Sequence, residues 1–153
     1  MTTIKADPTN PLYSLDKQQS SLVYYDKNTI VLTMPYWVKV TNSSVEDSEV
    51  KKHSFVLSYD PEAMTASDTK LKLYISHVVE DAGETVTRSN FTYAYRAYSI
   101  RAALAAFKEK TGKLPKYLEL TAEINNSKDE LVDKDGKETS VERSVEYDYA
   151  FTE

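Results

Sequence analysis

The sequence predicts a mostly β, α+β domain: an antiparallel β-sandwich or partly open barrel of about seven strands with one α-helix. Apolar residues recur at every second position over most of the chain, which is the period of a half-buried strand. Short polar loops separate these segments, as they do between antiparallel strands. Only residues 100–111 follow a helical period, and one helix cannot supply the crossovers of a parallel α/β fold.

The chain of 153 residues fits one domain. Residues 1–20 contain Pro8 and Pro11 among polar residues and show no apolar period. We therefore expect a flexible or exchanging N-terminal arm that lies outside the core. The remaining residues, 21–153, are expected to form a single β-rich domain.

Two segments near the N-terminus have the alternation of strands. Residues 30–40 place an apolar side chain at every even position, and Pro35 predicts a bulge or an edge there. Residues 54–59 alternate in the same way, and Asp60 and Pro61 end that run. Each segment is therefore predicted to bury one of its two faces.

A β-hairpin is predicted in the middle of the chain. Residues 71–79 alternate, with His77 on the apolar face. The short loop 80–84 contains Gly83, and a second alternating segment follows it. That segment places three aromatic residues on one face: Phe91, Tyr93 and Tyr95.

The predicted helix spans about residues 100–111. Its apolar residues fall at helical spacing, and Ser99 is a suitable N-cap. Gly112 is expected to end the helix in the left-handed conformation. The stripe expected to face the core consists of Ile100, Ala103, Leu104 and Phe107.

Residues 117–124 and 141–151 are the last two alternating segments. The polar stretch between them centres on Asp135 and Gly136, which favour a turn. We therefore expect an acidic hairpin tip at residues 125–138.

The composition excludes several chemistries. Without cysteine there is no disulfide, thiolate nucleophile or cysteine-bound metal, and the three glycines are all explained by turns and a helix end. His77 is interpreted as a core histidine bonded to a neighbour, and His53, beside Lys51 and Lys52, as exposed. The sequence therefore predicts no catalytic residue, metal site, cofactor or small-molecule substrate, and a protein that is not an enzyme.

Two groups of carboxylates bear on that prediction. Residues 131–142 match an EF-hand loop at several positions, but Leu131 stands where the first carboxylate ligand is required. An acidic hairpin is therefore favoured over a weak calcium contact of another kind. Glu142, Glu146 and Asp148 share one strand face, which is typical of a solvated outer strand rather than of an acid/base pair.

Charge is unevenly distributed along the chain. Residues 1–120 carry 15 basic and 14 acidic side chains, whereas residues 121–153 carry 4 and 10. Residues 86–117 combine basic and aromatic side chains, which suits single-stranded nucleic acid, with the acidic C-terminal segment as an internal competitor. The alternative is that the aromatic residues form a wall of the core and the cations a solvated rim. The candidate nucleic-acid residues are Arg88, Arg96, Tyr98, Arg101, Lys108, Lys113 and Lys116.

The favoured function is a non-enzymatic structural or protein-interaction module. Four aromatic residues lie opposite the main apolar row of their strands and are predicted to bind a partner, which is expected to be a second copy or an assembly protein. They are Tyr25, Trp37, Tyr74 and Tyr117. The pattern fits a component or accessory factor of a larger assembly, for example a viral one. No apolar signal or membrane span is evident, so we expect a location in the cytoplasm or within an assembled particle.

Overall fold

The computed structural model describes residues 1–126 and 140–151. Its helices are α1 (Asp47–Val50) and α2 (Arg101–Thr111), and a 3-10 turn spans Pro61–Ala63. Among the described residues no helix is long and apolar enough to cross a membrane. The strands within these ranges are β1 (Ser21–Asp26), β2 (Thr29–Val38), β3 (His53–Ser58), β4 (Lys70–Val79), β5 (Asn90–Ser99), β6 (Tyr117–Ile124) and β7 (Val141–Asp148).

The strands form two sheets, which confirms the predicted sandwich-like α+β class. One sheet has the order β1-β2-β5 and the other the order β3-β4-β6-β7. Neighbouring strands are antiparallel except β4 and β6, which run parallel. The chain makes this parallel connection by passing through β5 and α2, so a strand of the other sheet takes part in the crossover.

The core is built from the apolar residues that the alternation predicts. Even-numbered residues of β2 and β6, odd-numbered residues of β4, and the α2 stripe are buried together. Each fully buried aliphatic side chain contributes roughly 1.5–3 kcal/mol relative to exposure. The fully buried set includes Ile30, Leu32, Met34, Leu71, Leu73, Ile75, Leu118, Leu120 and Phe107.

The predicted hairpin between β4 and β5 is wrong. β5 pairs with β2 along its whole length, from Thr29 opposite Ser99 to Val38 opposite Asn90. β4 instead lies between β3 and β6 in the second sheet. Gly83 does make a left-handed turn, with φ of 82°, but its loop links the two sheets. Alternation identifies a strand without identifying the strand beside it.

Two local predictions need adjustment. Ser99 is the last residue of β5 and pairs with Thr29, so α2 begins at Arg101 without a side-chain cap. Gly112 ends the helix in the left-handed region, as predicted. The pairing of β2 with β1 ends at Thr33, and Pro35 lies beyond that end. The Pro35 carbonyl accepts a 2.9 Å hydrogen bond from the Tyr13 N–H.

The prediction that residues 1–20 lie outside the core is also wrong. Leu12 is completely buried, and Leu15 belongs to the same cluster. The Leu12 N–H donates to the Glu123 carbonyl at 2.9 Å, and Leu12 also bridges to Tyr36 of β2. The segment can pair in this way because β4 leaves β6 after Ile75 and offers an unpaired edge. Exchange of the arm between molecules stays a prediction.

β6 and β7 pair antiparallel over their full lengths, from Tyr117 opposite Asp148 to Ile124 opposite Val141. The pairing joins the two final segments that alternation predicts. The expected acidic tip lies outside the described residues from 127 onward, as do residues 131–139 of the stretch compared with an EF-hand loop.

Candidate functional site

The outer face of the three-stranded sheet carries a row of exposed apolar and aromatic side chains. Cross-strand pairs align it: Val23 opposite Val31, Val31 opposite Ala97, and Thr33 opposite Tyr95. Val23 is 58% exposed and Tyr95 is 65% exposed. We call this the aromatic face and define it as Val23, Val31, Thr33, Phe91, Tyr93, Tyr95 and Ala97, with Tyr25 at the adjoining bulge of β1.

β5 directs three of its four aromatic residues outward, because small and polar side chains occupy most of its inner face. Ala94 is buried opposite Met34, so a small residue pairs with a large one. Arg96, also on the inner face, places its guanidinium 5.2 Å from the centre of the Phe55 ring. Phe91, Tyr93 and Tyr95 share one face of β5, as predicted, but that face is not a wall of the core.

Trp37 and Tyr13 close one end of the aromatic face. Tyr13 stacks on Phe91 with ring centres 3.9 Å apart and meets Trp37 edge-on at 5.0 Å. Trp37 is only 3% exposed, and its indole N–H donates to the Asn125 carbonyl at 2.6 Å. Trp37 therefore supports the surface from below, whereas Tyr25, at 79% exposure, lies open to solvent.

The aromatic face is electrically neutral. None of its residues carries a charge, although charged residues make up 28% of the chain. A contiguous exposed apolar patch on a rigid sheet is a recognised feature of interaction surfaces, and tyrosine is enriched in them. The face therefore has the properties of a protein contact rather than of a site for a charged ligand.

Tyr74 and Tyr117, the other two predicted partner residues, lie on the second sheet. The Lys5 ammonium sits 3.8 Å from the centre of the Tyr74 ring, at a cavity of about 510 Å³. Burial, with the carboxylates of Glu123 and Glu142, raises the pKa of Tyr74 to about 12. Tyr117 is half-buried at the start of β6. The four predicted residues thus do not form one surface.

The candidate nucleic-acid residues are also separated. Arg88 is buried and bound to Glu49 and Asp81, so it is not available to a phosphate. Arg96 lies on the inner side of β5, and the Tyr98 hydroxyl donates to the Phe55 carbonyl at 2.7 Å. The four remaining cations are exposed: Arg101, Lys108, Lys113 and Lys116.

A buried polar network surrounds His53 and His77, and the sequence pattern does not predict it. The prediction that His53 is exposed is wrong: its Nδ1 lies 2.8 Å from Nε2 of His77 and its Nε2 lies 3.1 Å from Oε2 of Glu49. Nδ1 of His77 lies 3.0 Å from the Pro11 carbonyl oxygen, a hydrogen bond that requires the proton on that nitrogen. The interpretation of His77 as a buried, bonded histidine agrees with this geometry. The alternation could have predicted this burial, because His53 lies on the same face of β3 as Phe55 and Leu57.

Charge in the network is compensated locally. Burial would raise the pKa of Glu49, but hydrogen bonds from Arg88, the Lys39 N–H and His53 hold it at about 2. Burial lowers the pKa of His77 to about 3 and also lowers that of His53, against the pull of Glu49. The network ties α1, β3, β4 and the N-terminal segment together. Among the described residues no cluster of histidine and carboxylate groups could hold a metal ion.

The fold has a counterpart among solved structures. No protein-family model matches the chain, and no curated protein sequence shows significant similarity. The structure is similar to the crystal structure of a protein from Bacteroides fragilis NCTC 9343 described as a "Putative lipoprotein". The TM-score is 0.77 at 26% identity, and the match covers 100% of this chain and 70% of that one.

Proposed function

We propose that this protein is an interaction module that associates with a second copy of itself through the aromatic face. The observation that carries the proposal is the exposed, uncharged row of Val23, Phe91, Tyr93 and Tyr95 on a regular sheet. Burying such side chains is favourable, at roughly 25 cal/mol per Å² of apolar surface removed from water. The sheet holds the row in a fixed arrangement, so little conformational entropy is lost on contact.

A second copy suits the charges of this protein. The chain has a net charge of −5, so two copies repel each other, and a contact region without charge adds no like-charge pairs to that repulsion. The aromatic face is such a region. In a two-fold dimer the same patch contacts itself, so an uncharged apolar surface meets an identical surface without opposing like charges.

The test compares one substitution at two matched positions. Val23 on β1 is 58% exposed and lies on the aromatic face, whereas Val141 on β7 is 56% exposed and lies on the other sheet. We expect Val23→Asp to weaken association at least about tenfold, or ~1.4 kcal/mol, because it places a charge in an apolar contact. Val141→Asp, with the same change in net charge, should leave association unchanged.

Sedimentation velocity on the full chain over a wide concentration range measures both variants beside the wild type. A wild-type protein that stays monomeric throughout would refute the proposal. Equal weakening by Val23→Asp and Val141→Asp would show that general charge repulsion, rather than the aromatic face, controls association.

The other predicted functions have less support from the geometry. Binding of single-stranded nucleic acid would have to rely on Arg101, Lys108, Lys113 and Lys116, apart from the aromatic face. A role in a viral assembly stays a prediction from composition. The location also has two candidates: the sequence predicts the cytoplasm or an assembled particle, whereas similarity to a protein described as a lipoprotein favours a membrane surface. Fractionation of cells that produce the protein distinguishes the two locations.

A further inference from the structure

A second cavity lies at one end of the sandwich, away from the aromatic face. The β1–β2 turn, α2 and the residues after β7 line it. Its volume is about 540 Å³, which is within the range of small-molecule sites. The Tyr149 hydroxyl donates to the Lys27 carbonyl at 2.7 Å, so the strand end and the turn are fixed to each other.

The polar part of this cavity is cationic. Among residues 1–126 and 140–151, three cations line it, namely Lys27, Arg101 and Lys108, and no carboxylate does. Arg101 and Lys108 are two turns apart on α2, with Leu104 between them on the same side of the helix. α2 has no acidic residue in its first turn, so its partly positive N-terminal end adds to the charge of Arg101. An anion in this cavity would meet attraction from several directions.

The rest of the lining is apolar. Leu104 is buried at its base, and Leu114 is half-buried beside it. Phe151 contributes a ring that packs on Tyr24 and Tyr149, with ring centres 5.7 and 5.8 Å away. A simple inorganic anion would leave this apolar lining exposed to water, so binding it would release little hydrophobic free energy. A ligand with an apolar group would cover the lining.

We propose that this cavity binds a small organic anion with an apolar body. The anionic group lies between Lys27, Arg101 and Lys108, and the body covers Leu104, Leu114 and Phe151. Charge gives the site its preference for anions, and apolar contact gives it most of its affinity. Aromatic and aliphatic anions share this chemistry, so the test includes one of each.

The experiment titrates the full chain with four probes while amide chemical shifts are followed by NMR. The probes are naphthalene sulfonate, decanoate, uncharged naphthalenemethanol and inorganic sulfate. We expect saturable binding of at least one organic anion, with shifts at Asn28, Ala105 and Leu114. Binding of the uncharged alcohol and of sulfate should be weaker by about tenfold or more, because each lacks one half of the required chemistry.

Two double variants decide whether the cavity is the site. Arg101→Gln with Lys108→Gln removes two lining cations and should weaken the organic anion about tenfold. Lys113→Gln with Lys116→Gln makes the same change in net charge outside the cavity and should change the affinity less than about twofold. Equal losses in both, shifts confined to the aromatic face, equal binding of sulfate, or no binding of either organic anion would each overturn the proposal.

Discussion

His53, His77 and Glu49 form a row of contacts that has fewer donor protons than hydrogen bonds. Three contacts follow one another: Pro11 carbonyl to His77, His77 to His53, and His53 to Glu49. Each needs one proton, but two neutral imidazoles supply only two. Glu49 cannot supply the third, because its pKa of about 2 keeps it ionised at neutral pH. One contact therefore pairs two acceptors whenever both imidazoles are neutral.

The lowered pKa values predict that acid destabilises the fold. Between pH 6.5, the ordinary value, and about 3, the unfolded chain protonates His77 while the folded chain does not. The contribution of His77 to the free energy of unfolding is therefore complete above pH 6.5 and is lost as the pH falls below it. Glu49 acts in the same direction only below its ordinary value of 4.5. Loss between pH 6.5 and 4.5 therefore reports on the imidazoles.

Urea unfolding at a series of pH values measures this dependence. The slope between pH 6.5 and 4.5 should approach at most about 2.7 kcal/mol per pH unit for two imidazoles, and about 1.4 for one. His77→Phe should therefore reduce the slope, whatever its effect on stability at neutral pH. A free energy of unfolding that rises on acidification would show instead that the pair takes up the missing proton.

At the scale of elements, the alternation of residues locates strands better than it pairs them. β2, β4 and β6 and the helix stripe follow from the sequence because each has one continuous apolar face. The partner of β5 does not, because β2 and β4 offer equally suitable neighbours in the sequence pattern. Exposure of Phe91, Tyr93 and Tyr95 was unpredictable for the same reason, since the burial of Ala94 depends on Met34 across the strand.

The N-terminal segment shows a second limit of pattern reasoning. Its contribution to the hydrophobic core comes from Leu12 and Leu15, and two residues are too few to produce a recognisable apolar period in the sequence. Backbone hydrogen bonds to β2, β4 and β6 fix the segment, and those bonds are available to any residue with an N–H or a carbonyl. The sequence signals of proline and polar residues therefore describe the loop-like path but miss the two anchors.

Leu12 tests this description of the segment. Leu12→Ala should lower the free energy of unfolding by about 2–5 kcal/mol, because it leaves a cavity where both sheets meet. Ile4→Ala is the control within the same segment: Ile4 is 77% exposed, and its loss should cost less than about 0.5 kcal/mol. Chemical denaturation of both variants gives the comparison. Equal and small effects would mean that the segment contributes little to the folded state.

For the whole molecule, the charge distribution offers two ways for copies to meet. The first 120 residues sum to +1 and the last 33 to −6, so a basic region of one copy could attract the acidic end of another. The aromatic face offers the opposite kind of contact, one without charge. Salt screens all of these charges, so it weakens contact between the basic and acidic regions. The same screening strengthens contact through the aromatic face, because it reduces the repulsion between the two molecules.

Self-association through the aromatic face should become tighter as salt rises. The contact itself is uncharged, so salt acts on the repulsion between two molecules of net charge −5. We expect the dissociation constant from sedimentation equilibrium to fall between about 0.02 and 0.5 M sodium chloride, as the screening length shrinks from about 20 to about 4 Å. Val23→Asp is the control, because its added charges within the contact should make the salt response steeper. A dissociation constant that rises with salt would identify attraction between the basic and acidic regions as the contact.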